Sequence, residues 1–129
     1  MSINTYEENR ILNASPVELV RILYAAALRS VQIARERLAL GEIASRSREI
    51  GKAQCILLEL AMSVDTGRSP EVGERLLALY GYMQHRLLEA NMHQSDGPLA
   101  EVASLLGTLG EAWSQCPALE EMQPELAHR

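Results

Sequence analysis

Proline occurs five times in this 129-residue chain, and three of the five open a stretch of apolar residues spaced three and four apart. Ser15-Pro16-Val17-Glu18 and Ser69-Pro70-Glu71 both set a hydroxyl before a proline and a carboxylate just after it. A serine there can accept an orphan backbone N–H, and a proline at the first helical position forfeits no hydrogen bond. Glu18 stands where a capping box puts its carboxylate. Asp96-Gly97-Pro98 closes one helical region and opens the next. Proline would break such a helix anywhere but its start, so this punctuation commits the chain to several separate helices.

The spacing fills them in. The first helix is predicted from the Ser15 cap to about Leu40, with Gly41 as its stop; its inner stripe is Val20, Leu23 or Tyr24, Ala27, Val31, Ala34 and Leu38. The second runs from about Ile43 to Val64, with Ile43, Ile50, Ala53, Leu57, Leu60 and Val64 inward and Asp65-Thr66-Gly67 as the break. The third carries Val72, Leu76, Leu79, Met83, Leu87 and Ala90. The fourth carries Leu99, Val102, Leu106, Leu109 and Trp113 until Pro117 forbids continuation. Composition agrees: 20 leucines and 16 alanines, strong helix formers, face 13 valines and isoleucines. Short connections make neighbouring helices antiparallel, so the expected fold is all-α, an up-down-up-down four-helix bundle over residues 15–116. Residues 1–14 precede it, and residues 117–129 form a short acidic tail expected to fray.

Several functions are excluded by what is missing. A net charge of −5 argues against nucleic acid or an anionic membrane as the main partner. The longest apolar run, Ile22 to Leu28, is far below the roughly 20 residues that span a bilayer, and no secretory signal precedes it. Two cysteines, Cys55 and Cys116, make neither a metal-ligand spacing nor a disulfide framework, which suits a reducing, cytoplasmic setting. A di-iron bundle needs inward Glu-x-x-His pairs on two helices, and Glu125 to His128, in the tail, is the only such motif. His85 lacks the lysine and small residue that follow a phosphotransfer histidine. Cys55 reads as a small buried thiol, and no histidine lies near Cys116 in sequence. No catalytic motif, cofactor or metal is expected, which leaves binding.

The helices carry more apolar surface than their inner stripes need. Leu19, Ile22, Ala26 and Ile33 adjoin the first stripe, Ile56, Leu58 and Met62 the second, Leu77, Tyr80 and Leu88 the third. These either widen the core or line grooves that a partner helix fills. Tyr80 and Tyr82 are about 200° apart on a helix, so both cannot face one core; Tyr82 shares the solvated face of Arg75, Arg86 and Glu89. Five glycines, Gly51, Gly73, Gly81, Gly107 and Gly110, interrupt predicted helices and mark either close helix approach or, at Gly107 and Gly110, a pliable helix or a shallow groove. A metal-binding or enzymatic bundle and a structural helical oligomer are the rival classes.

Six segments in order carry a resemblance: Tyr6-x-x-Asn9, Ala14-Ser15-Pro16-x-Glu18-Leu19, Leu23-Tyr24-x-x-Ala27-Leu28, Lys52-Ala53-Gln54-x-Ile56, Leu79-Tyr80-x-Tyr82-Met83 and Arg86-Leu87-x-Glu89-Ala90-Asn91. With these the chain resembles the flagellin-specific flagellar export chaperones from about Tyr6 to Trp113. The resemblance implies a cytosolic bundle that binds the disordered C-terminal segment of flagellin, which wraps around it and becomes helical in its grooves. Binding then blocks premature filament assembly and presents flagellin to the type III export gate. It also implies that residues 1–14 form a latch, through Ile3, Tyr6, Asn9 and Ile11, over a hydrophobic patch in the free protein. The client surface is expected to use Tyr24, Ile56, Leu58, Tyr80 and Tyr82 beside the latch. Lys52, Gln54 and Asn91 match as polar positions and serve either packing or the client.

Overall fold

The computed structural model describes residues 15–67 and 69–115. The proposed latch residues Ile3, Tyr6, Asn9 and Ile11, the tail and Cys116 lie outside them. Four helices follow one another: α1 (Pro16–Ala39), α2 (Ile43–Met62), α3 (Pro70–His93) and α4 (Asp96–Gln115). They close a ring in which α1 packs on α2 and α4, and α3 packs on the same two from the other side. Arg35 near the end of α1 reaches Asp96 at the start of α4, and Arg46 near the start of α2 reaches Asn91 near the end of α3, so neighbours run antiparallel. This is the expected all-α four-helix bundle.

The ends form largely as the punctuation predicts. The Ser15 hydroxyl accepts the Glu18 N–H at 3.2 Å, and Pro16 begins α1. At its other end Gly41 takes φ +72°, a conformation that costs a side chain about 1 kcal/mol or more. The Glu42 N–H then reaches back to the Arg37 carbonyl at 2.9 Å and the Gly41 N–H to that of Leu38 at 3.1 Å, a Schellman closure. Ser69 differs from Ser15: Pro70 opens α3, but the Ser69 side chain caps nothing. Its φ of −147° and ψ of 87° orient the residue away from the usual N-cap geometry. At the end of α3 the left-handed turn is made by Gln94, at φ 50°.

The core is the set of inner stripes. Val20, Tyr24, Ala27, Val31 and Ala34 of α1 meet Ile50, Ala53, Leu57 and Leu60 of α2, and the matching faces of α3 and α4 complete them. Three expectations are corrected. Ile43 is exposed, because it opens α2 at the end of the bundle, where none of the described helices covers it. Val64 lies past the end of α2, after the Ser63 cap, and packs on the core from the turn. Tyr80, rather than Leu79, takes the fully buried place on α3.

Arg46 is an unexpected member of the interior, at 4% exposure. It occupies the position one turn before Ile50, on the inward stripe itself. Its guanidinium donates to the Asn91 side-chain oxygen at 3.3 Å and to the Asn91 carbonyl at 3.4 Å, in the last turn of α3. The negative end of the helix dipole favours a cation there. Ser47 donates to the same Asn91 oxygen at 2.9 Å. Asn91 thus serves internal packing.

Candidate functional site

An apolar opening lies between α1 and α2, a groove of about 840 Å³. Its floor is built by Ile22, Ala26 and Ile33 from α1 and by Gly51, Cys55 and Ile56 from α2. The α1 residues fall on one face because they are spaced four and seven apart, one and two turns. That face is turned from the inner stripe, whose side chains are almost fully covered, so the bundle completes its core without these residues. Arg29, Glu49 and Lys52 stand on the rims. Lys52 pairs with Glu49 at 3.1 Å, which places this polar match beside the groove. Cys55 is exposed in the groove, contrary to the buried thiol expected, because it points between the core face and the solvent face of α2.

A second, smaller groove of about 450 Å³ runs between α1 and α4, over Tyr24, Leu28, Gly107 and Gly110. A Cβ at Gly107 would meet nothing within 4 Å, and one at Gly110 would touch only the Tyr24 Cβ at 3.8 Å. Gly51 and Gly81 also face open space. Close helix approach therefore does not account for Gly51, Gly81 or Gly107; at Gly51 and Gly107 the missing side chain deepens a groove.

The expected client residues are dispersed. Ile56 lines the α1–α2 groove. Leu58, two steps on and turned by about 200°, lies on the opposite flank of α2. Tyr24 and Tyr80 are core residues, 2 and 1% exposed, so the expectation that they contact the client directly does not fit this conformation. Their hydroxyls share a hydrogen bond of 2.5 Å across the bundle, and the Trp113 ring packs beside Tyr24 with centroids 6.2 Å apart. Burial pushes both phenols above their ordinary range; the Tyr80 hydrogen bond partly offsets this at Tyr24. Two buried hydroxyls that satisfy each other explain how tyrosine can replace phenylalanine in this interior.

Tyr82 does lie on the solvated face predicted for it. Its hydroxyl donates to Glu101 of α4 at 2.5 Å, and the Arg86 Nε donates to the same oxygen at 2.8 Å. Those two donors hold the Glu101 carboxyl below the usual carboxylate range, and the same bond holds the Tyr82 proton on. Arg86 also reaches Glu89 at 2.8 Å. The α3–α4 face is a charged lattice rather than an apolar groove. Gln54 meets α3 through its backbone carbonyl, which accepts the Gln84 amide at 2.7 Å.

The sequence reading missed Gly51 and Cys55 as groove residues, and used Ile22, Ala26 and Ile33 only as surplus surface. Among the described residues no group of three or more His, Cys, Asp and Glu side chains is placed to hold a metal ion. No described helix is long and apolar enough to cross a membrane.

Comparison with known proteins points one way. A family model described as flagellar protein FliS matches residues 1–120. The chain is 31% identical over 110 residues to the flagellar secretion chaperone FliS of Bacillus subtilis (strain 168), covering 85% of this chain and 81% of that one. It is 32% identical over 109 residues to the flagellar secretion chaperone FliS of Salmonella typhimurium, covering 84 and 81%. With the flagellar secretion chaperone FliSB of Pseudomonas aeruginosa it shares 32% over 106 residues, covering 82 and 84%.

Proposed function

The chain belongs to the flagellar protein FliS family, and from that membership we propose that it is an export chaperone whose α1–α2 groove receives the C-terminal segment of flagellin. The observation that carries this reading is an open apolar groove on a bundle whose core is already closed. A groove between two helices accepts a third helix, seated by apolar residues every three or four positions. Flagellin's C-terminal segment, disordered before assembly, offers such a stripe. Covering it keeps the segment from pairing with other flagellins, and the bound form is the one handed to the export gate.

Ordering a disordered segment costs conformational entropy, so affinity has to come from long contact rather than from one deep pocket. About 40 residues suffice for two helices of about 30 Å each. Intact flagellin from the same source is therefore expected to bind one client per chain, with a gain of helical circular dichroism in the client. Flagellin lacking its last 40 or so residues is expected to lose that binding. Equal binding by titration calorimetry to both forms would sink the proposal.

A further inference from the structure

Most arginines of this bundle are matched. Arg35 pairs with Asp96, Arg37 with Glu42, Arg75 with Glu71 and Arg86 with Glu89 and Glu101, while Arg46 is buried on Asn91. Arg21 and Arg29 have no such partner among the described residues, although both stand exposed on α1. They lie about two turns apart with Ala25, exposed and small, between them. At the start of this ridge Glu18, Arg21, Ile22 and Ala25 line a hollow of about 450 Å³. Arg48 is likewise unmatched among the described residues, but it sits near the start of α2, toward the other end of the bundle.

A segment rich in carboxylates starts within reach. α1 and α4 are antiparallel, and Arg21 and Glu111 line one groove, so α4 ends beside the first turns of α1. Residues 116–129 continue from there and carry Glu120, Glu121 and Glu125. Four extended residues span about 13 Å, which crosses the roughly 9 Å between packed helices. The same length separates Glu121 from Glu125 and matches the 12 Å or so from Arg21 to Arg29. Charge directs the segment toward α1. The other neighbour of α4 is α3, which offers Glu71 and Glu74 in its first turns, with Arg75 already held by Glu71. α4 itself carries Asp96, Glu101 and Glu111 and no lysine or arginine. Leu119, Met122 and Leu126 recur at steps of three and four, so the segment also brings an apolar row to Ile22 and Ala25.

We propose that residues 117–126 dock on the outer ridge of α1 in their own chain, with Glu121 on Arg21, Glu125 on Arg29 and Met122 over Ala25. Exposed ion pairs contribute little singly, but a tethered segment meets its site at an effective concentration of about a millimolar, so weak contacts suffice. Docked there, the segment borders the α1–α2 groove, because Ile22 lines both the hollow and the groove. A client helix entering the groove then has to displace it, and this consequence alone rests on the client reading.

Disulfide closure tests the docking without flagellin. With Cys55→Ser and Cys116→Ser removing the native thiols, Ala25→Cys and Met122→Cys are expected to close an intrachain disulfide under mild oxidation, followed by mass. Arg21→Glu with Arg29→Glu is expected to slow closure at least about fivefold, and Glu121→Lys with Glu125→Lys to do the same. Combining the two reversals is expected to restore the rate, because each lysine then meets a glutamate. Arg48→Glu, near the other end of the bundle, is expected to leave it unchanged. A parent-like rate in the Arg21→Glu, Arg29→Glu chain, the result expected if residues 1–14 cover the ridge instead, overturns the proposal. So does a disulfide formed between chains, which would assign the ridge to a second copy. A combined reversal that stays slow overturns the pairing of these charges.

Discussion

Asn91→Leu is expected to destabilise the bundle by about 2–3 kcal/mol, a large share of the roughly 5–15 kcal/mol that holds a domain of this size together. The loss follows from what the substitution strands, not from what it removes. Arg46 is almost wholly buried, and the Asn91 side-chain oxygen is its side-chain acceptor in the hydrogen-bond network. A leucine there leaves a cation in the interior with, among the described residues, only the backbone carbonyl of position 91, at 3.4 Å, and removes the acceptor of Ser47 as well. Leaving one member of a buried polar pair costs far more than replacing both. Arg46→Met in the Asn91→Leu background should therefore recover most of the loss. Urea denaturation of the four chains in this cycle checks it. Additive losses would show that Arg46 and Asn91 do not act as a pair.

Ala26→Glu and Ile56→Asp are each expected to weaken flagellin binding at least 100-fold, about 2.7 kcal/mol. Both positions face the α1–α2 groove, and Ala26 is exposed there, so a carboxylate at 26 is hydrated in the free protein. A seated client helix would strip that water and meet a longer side chain where Ala26 leaves room, and burying the carboxylate is expensive even with Arg29 one turn on. Ile56 is half-buried against the core, so its aspartate also lowers stability; Ala26→Glu separates binding from folding. Arg75→Ala, on the solvated face of α3, serves as the control and should bind as the parent does. Calorimetric affinities within twofold of one another for Ala26→Glu and the parent would move the client off this groove.

Much of this fold was readable from residue spacing because helices announce themselves locally. Pro16, Pro70 and Gly41 sit where a missing N–H or a positive φ is needed, and the a/d steps of α4 need no knowledge of its neighbours. The site was harder to read, since a groove belongs to two helices at once. The stripe Ile22, Ala26, Ile33 is visible in α1, but which neighbour flanks it depends on the handedness of the ring, which no single helix encodes. Hence Gly51 and Cys55 were not assigned to it. Tyr24 and Tyr80 entered the client surface through the resemblance, and their spacing could not show that the two hydroxyls, 56 residues apart, satisfy each other in the core. Arg46 did carry a signal, its place one turn before Ile50, but only the arrival of the α3 terminus makes that position tolerable for a cation.

Cys55 supplies the most direct test of where the client lies, because its thiol is exposed on the groove floor beside Ile56. With Cys116→Ser removing the second of the two cysteines, the alkylation rate of Cys55 can be followed by the mass of this chain, free and saturated with flagellin. If the client helix occupies the α1–α2 groove, intact flagellin should slow the reaction at least tenfold. Flagellin without its C-terminal segment should leave the rate unchanged. An unaltered Cys55 rate in a complex shown by sedimentation to be fully formed would contradict the account.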